Sequence, residues 1–157
     1  MKTHPLTKAG MLCLSLALLA TPLAAEKMNR NDYCKIRYSH FDDKVYAFGL
    51  TKEAYRKMAV WRFDQGAPPP ISAQQAHGKA RAWIDTLEKS PGWKWELDQI
   101  ALEPIDQNEG KWLWLVSFEY KVTEGGQTGQ PIRMHVYVTM NGDLIQPVVS
   151  EMKRRSQ

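Results

Sequence analysis

The chain has 157 residues, 21 of them Lys or Arg and 17 Asp or Glu, giving a formal charge of +4. Two of the basic residues, Lys2 and Lys8, fall in an N-terminal stretch with no acid that reads as a removable leader. Without residues 1–25 the chain keeps 132 residues with 19 basic against 17 acidic side chains, a net of about +2. That length fits one domain with its own core and leaves little room for a second. The charge balance lacks the basic excess of a dedicated nucleic-acid or membrane-surface protein, so no nucleic-acid partner is expected.

The leader reading rests on the basic start, on the apolar run Met11–Ala20 broken only by Ser15, and on the small residues of Thr21-Pro22-Leu23-Ala24-Ala25 before a cleavage site. Its apolar core of about 10–14 residues falls short of the roughly 20 that span a bilayer, so no stable membrane span is expected after cleavage. The rival reading is an uncleaved anchor. Cys13 lies inside the apolar run behind bulky Leu12, which does not fit a lipid-modified cysteine. Removing the leader leaves Cys34 alone, so no internal disulfide forms; the thiol is either free or joins two copies in a homodimer. A Cys-x-x-Cys redox site and a cysteine-rich zinc site are excluded. The chain holds no Asn-x-Ser/Thr acceptor, which favours a bacterial envelope, periplasmic or extracellular, over a eukaryotic secretory route.

Residues 26–32 are polar and charged without apolar period, a flexible lead-in to a domain at 33–150. Tyr33–Phe41 and Lys44–Leu50 are aromatic-rich runs. Ala54–Phe63 reads as a strand, with Tyr55, Ala59, Trp61 and Phe63 on one face; the alternative is a short helix from Thr51 to Val60 with Thr51 as its cap. Gly66-Ala67-Pro68-Pro69-Pro70 ends whatever precedes it, because three prolines remove three backbone donors. Ser72 and Gln75 match a capping box, and Ala73, Ala76, Ala80, Trp83, Ile84 and Leu87 then form one apolar stripe, so a helix about 25 Å long is predicted up to Ser90-Pro91-Gly92.

From Trp93 the period becomes alternating, which predicts antiparallel strands. The first runs to about Pro104 and the polar turn Asp106–Gly110 follows. Trp112, Trp114, Val116, Phe118 and Tyr120 make the core series of the next strand, and a flexible loop occupies Thr123–Gly129. Ile132, Met134, Val136, Val138 and Met140 point inward on the strand after it. Asn141-Gly142 is a strong hairpin signal, returning Leu144–Val149 as a last strand whose Pro147 suggests an edge. Residues 151–157 form a basic tail, with Lys153-Arg154-Arg155 solvated. The predicted fold class is α+β: one long helix packed on a curved antiparallel sheet of about four to five strands.

Pro69-Pro70-Ile71-Ser72 entering a helix with Ala76 and Ala80, then Trp112-Leu113-Trp114, then Val138-Thr139-Met140-Asn141-Gly142-Asp143 running into Ile145 and Pro147 resemble the small exported domains of the PepSY-like, cystatin-like group. The resemblance covers Trp61–Val149. It implies a cystatin-like fold and a non-catalytic binding or inhibitory module of the cell envelope.

No nucleophile elbow or phosphate-binding glycine loop is present, and no catalytic residue and no cofactor are expected. Of the histidines in the mature chain, His77 falls near the edge of the helical stripe and His135 alternates outward on its strand. His40, Asp42 and Asp43 make the best metal-like cluster, set against an ordinary polar turn. Most tryptophans lie on core series; Trp93 and Trp95, flanking Lys94, are the pair to examine for exposure. With a helix on one sheet face, the opposite face presents Arg133, His135 and Tyr137 beside Leu115 and Glu119, a mixture suited to a protein or small ligand. The competing readings are a solvated face or burial under the N-terminal segment. Three functions are carried forward: an exported non-catalytic binding module, a small envelope enzyme or metal protein using His40, Asp42 and Cys34, and a structural subunit of an envelope assembly.

Overall fold

A computed structural model describes residues 30–87, 93–122 and 131–152. The leader, the helix stop at Ser90-Pro91-Gly92, the loop Thr123–Gly129 and the basic tail lie outside the described residues. Strands β1 (Tyr33–Phe41), β2 (Lys44–Thr51), β3 (Trp93–Asp106), β4 (Lys111–Val122), β5 (Ile132–Thr139) and β6 (Pro147–Glu151) accompany helices α1 (Lys52–Lys57) and α2 (Ala73–Ile84).

The strands form two antiparallel three-stranded sheets, β1-β2-β6 and β3-β4-β5. This corrects the expectation of one long helix on a single curved sheet of four to five strands, and with it the cystatin-like arrangement: about half of the described residues are strand and the longest helix among them has 12 residues. The last strand accounts for the split. After Gly142, at φ +85°, the chain makes one bridge, Val138 to Leu144, and Ile145 N–H donates to the Tyr137 carbonyl at 2.9 Å. It then leaves β5, and Pro147–Glu151 pairs with β2 as an edge strand of the other sheet, a position that tolerates the missing proline N–H.

β1 and β2 meet through Asp42 and Asp43, at φ 53° and 56°. Two consecutive left-handed residues give a hairpin turn matched to strand twist, and aspartate tolerates that region better than most side chains.

The strand expected at Ala54–Phe63 is also corrected, in favour of the capped-helix alternative. Thr51 Oγ1 accepts the Ala54 N–H at 3.0 Å and α1 begins there. Distant side chains fix its far end. Asn141 Oδ1 accepts from Ala59 N at 2.7 Å while its Nδ2 donates to the Lys57 carbonyl at 3.0 Å, and Lys111 Nζ donates to the Met58 carbonyl at 2.6 Å. The backbone groups that a strand would pair are satisfied one at a time, so no ladder forms.

α2 starts with the capping box the sequence announces: Gln75 N donates to Ser72 Oγ at 3.2 Å and Ser72 N to Gln75 Oε1 at 2.8 Å. Ala76, Ala80 and Ile84 are fully buried, and the helix contacts β3, β4 and β5. Trp83 faces the other sheet, edge-on to Tyr46 at 6.3 Å and Phe48 at 5.3 Å. The helix therefore wedges both sheets onto one core.

Gly110, at φ +65°, holds the β3–β4 turn against the chain after α1, and its carbonyl accepts the Trp61 N–H at 2.9 Å. A Cβ there would lie 2.9 Å from the Trp61 carbonyl oxygen and 2.9 Å from Val60 Cγ1. Gly66 shares the left-handed φ, +68°, but has open space around it. Gly110→Ala is therefore expected to lose about 2–3 kcal/mol and Gly66→Ala about 1 kcal/mol. Denaturant unfolding of both variants checks the difference; equal losses would remove the steric account.

Candidate functional site

The inward side chains of β1 meet the second sheet one after another. Lys35 Nζ contacts Glu103 Oε2 at 2.5 Å, and Arg37 reaches Glu103 Oε1 at 3.2 Å and the Tyr137 hydroxyl at 3.0 Å. The Tyr137 hydroxyl in turn donates to Glu103 Oε2 at 3.2 Å. Ser39 Oγ accepts the backbone N–H of His135 at 3.1 Å. Phe41 packs edge-on against Trp95 at 5.0 Å and Tyr120 at 4.9 Å. β1 thus lies along the outer edge of β5, charged at one end of the seam and aromatic at the other.

This seam covers most of the sheet face proposed for binding. Tyr137 and Leu115 are buried, His135 is half-buried with Nδ1 2.8 Å from Ser117 Oγ, and Glu119 is partly covered, 3.8 Å from Lys121. Only Arg133 is exposed, 3.5 Å from Asp98. Of the two competing readings, burial under the N-terminal segment describes Tyr137 and Leu115.

The second constellation is spread out. Cys34 is exposed in a bulge at the start of β1, and His40 lies six residues further along the same strand, about 20 Å away at the rise of an extended chain. Asp42 and Asp43 form the hairpin turn beyond it. Among the described residues no group of three or more His, Cys, Asp and Glu converges to hold a metal ion. Of the aromatic pair beside Lys94, Trp95 is fully buried.

Sequence reading missed the outer face of β1-β2-β6. Register sets Ile36 beside Gly49, Ala47 between Tyr38 and Val148, and Val45 between His40 and Ser150. None of these eight positions carries Asp, Glu, Lys or Arg, and none belongs to the core cluster. Tyr38 is 45% exposed. The signal was present as alternation, since Lys35, Arg37 and Ser39 interleave with Ile36, Tyr38 and His40. Which set faces inward is not a local property: the charged set turns inward because Glu103 lies opposite.

Comparison of the chain with protein-family models, curated proteins and solved structures returns no match. Among the described residues no helix is long and apolar enough to cross a membrane.

The seam titrates. Burial raises the Glu103 carboxyl, but the Lys35 hydrogen bond and the Lys35 and Arg37 charges outweigh it and hold it below its ordinary 4.5. Burial, then Arg37 and Arg133, pull His135 below 6.5. Burial and the Glu103 charge push the Tyr137 phenol up to about 12, keeping it a donor. Both depressed groups bind protons more readily when unfolded, so their stabilisation is complete above their unfolded values and fades as pH falls. Stability is expected to decline first below pH 6.5 through His135, then below 4.5 through Glu103. Unfolding free energies measured across pH check this: His135→Gln should remove the first decline and Glu103→Gln the second, and unchanged profiles in both variants would show that the seam does not govern acid stability.

Proposed function

We propose that the protein is an exported, non-catalytic interaction module of the cell envelope that docks a protein partner on the outer face of β1-β2-β6. The observation that carries this reading is the face itself: eight uncharged positions across three paired strands, with Tyr38 exposed on its β1 side. Charge depletion together with an exposed aromatic is the composition that distinguishes the buried part of protein interfaces from ordinary surface. A free sheet face of a monomer usually carries polar and charged side chains, and here the outward set holds none of Asp, Glu, Lys or Arg. Export is supported by the leader-like residues 1–25. The non-catalytic reading is supported by the dispersion of His40, Asp42 and Cys34 over the hairpin and of the remaining reactive groups into structural bonds.

Cys34 adds a specific variant of this reading, in which the partner is a second copy held by a disulfide from the same strand. Site-specific photocrosslinking in the producing cell tests the surface. A crosslinker at Tyr38 or Val148 is expected to trap a discrete adduct, and one at Gln74, on the exposed side of α2, is not. Adducts at Gln74 equal to those at Tyr38, or none at either outer-face position, would overturn the assignment. Size-exclusion with and without reductant separates the outcomes: a dimer that reductant dissolves identifies a second copy joined through Cys34.

A further inference from the structure

A second surface lies away from the β1-β2-β6 face, where the 3₁₀ turn Phe63–Gln65 approaches the β3–β4 turn. A cleft of about 420 Å³ opens between them, lined by Arg62, Phe63, Asp64, Gln107, Asn108 and Trp112. Its volume falls within the range of about 300–1,000 Å³ typical of small-molecule sites.

Phe63 is 76% exposed, the highest value among the exposed large hydrophobic residues described. The ring is nevertheless fixed. It packs edge-on against Trp61 at 6.1 Å, and Trp61 packs edge-on against Trp112 at 5.7 Å. Trp61 is itself buried, its Nε1–H donating to the Ala67 carbonyl at 2.8 Å. An aromatic ring is thus held out toward solvent on a rigid aromatic base.

The polar half of the cleft is equally prepared. Asp106 Oδ1 accepts from Asn108 N at 2.9 Å and from Glu109 N at 3.2 Å, which sets the turn carrying Gln107 and Asn108. Among the described residues, no hydrogen bond or ion pair engages the side chains of Arg62, Asp64, Gln107 or Asn108. A guanidinium, a carboxylate and two amides are all planar groups that offer two hydrogen-bonding atoms side by side. Four uncommitted groups of this kind surround one exposed aromatic face.

From this arrangement we infer that the cleft binds a pyranose sugar within an oligosaccharide. A pyranose presents an apolar C–H face, which matches the Phe63 ring, and a rim of vicinal hydroxyls, which matches paired donors and acceptors on planar side chains. A purely apolar ligand would leave the four polar groups desolvated without partners. A simple anion would meet Asp64 beside Arg62 and gain little. The site is separate from the docking face and does not depend on that reading.

Titration with chitotetraose, cellotetraose and maltotetraose tests the inference, followed by intrinsic tryptophan fluorescence, to which Trp61 and Trp112 beside the cleft contribute, and by calorimetry. The expected result is saturable binding of at least one of the three, in the micromolar to millimolar range common for single small sites. Phe63→Ala and Asn108→Ala, both at exposed positions and with unchanged thermal unfolding, should each weaken it by about tenfold or more. Comparison of the N-acetylated with the plain glucans identifies which substituent the cleft prefers. Absence of saturable binding by all three up to about 10 mM, or binding that both variants leave intact, would overturn the proposal.

Discussion

The structure turns on how the exposed edge of β5 is closed. A strand edge is a row of unpaired N–H and C=O groups that pair with another chain unless something occupies them. Along β5, the His135 N–H is taken by Ser39 Oγ, the Tyr137 carbonyl by Ile145 N, and the Thr139 N–H by the Asp143 carbonyl. These bonds come from β1 and from the turn that follows β5, not from a continuous partner strand. Each is worth only about 1 kcal/mol, so they select the arrangement more than they hold it. Cohesion comes from Phe41 on Trp95 and Tyr120, and from Trp83 on Tyr46 and Phe48, where large rings from both sheets and the helix share one core.

This closure explains why there are two sheets. With β1 lying along the β5 edge, residues 147–151 have no room to extend the hairpin begun at Asn141-Gly142, and β2 offers the edge they take instead. The other free edge of the second sheet, β3, is handled differently. Two register shifts interrupt it, at Leu97/Gln99 and Pro104/Asp106, and Lys94, Glu96 and Asp98 line its exposed end. Bulges, charge and proline are ordinary means of discouraging edge pairing. The edges of β1-β2-β6 carry a bulge at Cys34 and a proline at Pro147, whereas its outer face holds no charged side chain at the eight paired positions, and that depletion is what makes the face informative.

Much of the fold was legible locally. The capping box at Ser72–Gln75, the alanine stripe of α2, the alternation along β4 and β5 and the Asn141-Gly142 turn depend on residues close in sequence, and their signals name the element directly. What was not legible depends on distant partners. Thr51 to Val60 carries a helix cap and a period-two pattern together, and the decision falls to Asn141 and Lys111, both more than 50 residues away along the chain. The face carrying Arg133, His135 and Tyr137 alternates correctly, yet whether it is open depends on Lys35 and Arg37 finding Glu103. A pair of lysine and arginine on a strand reads as solvent-facing unless the carboxylate opposite is known. The exposed cleft was hidden for the same reason, since Phe63 and Trp112 share it only after the Trp61 N–H binds the Gly110 carbonyl.

Cys34, the one cysteine among the described residues, fits this division between what holds the fold and what faces outward. For a chain proposed to be exported, stability without disulfides must come from packing, and the buried rings and the α2 wedge supply it with no role for Cys34. The bulge sets two β1 residues against one of β2 and leaves Cys34 exposed, outside the core cluster and outside the Glu103 network. A residue that contributes nothing to the interior is free to vary without loss of stability. Any constraint on Cys34 must therefore arise from what approaches the β1 strand from outside, on the side where Ile36 and Tyr38 already present an uncharged surface.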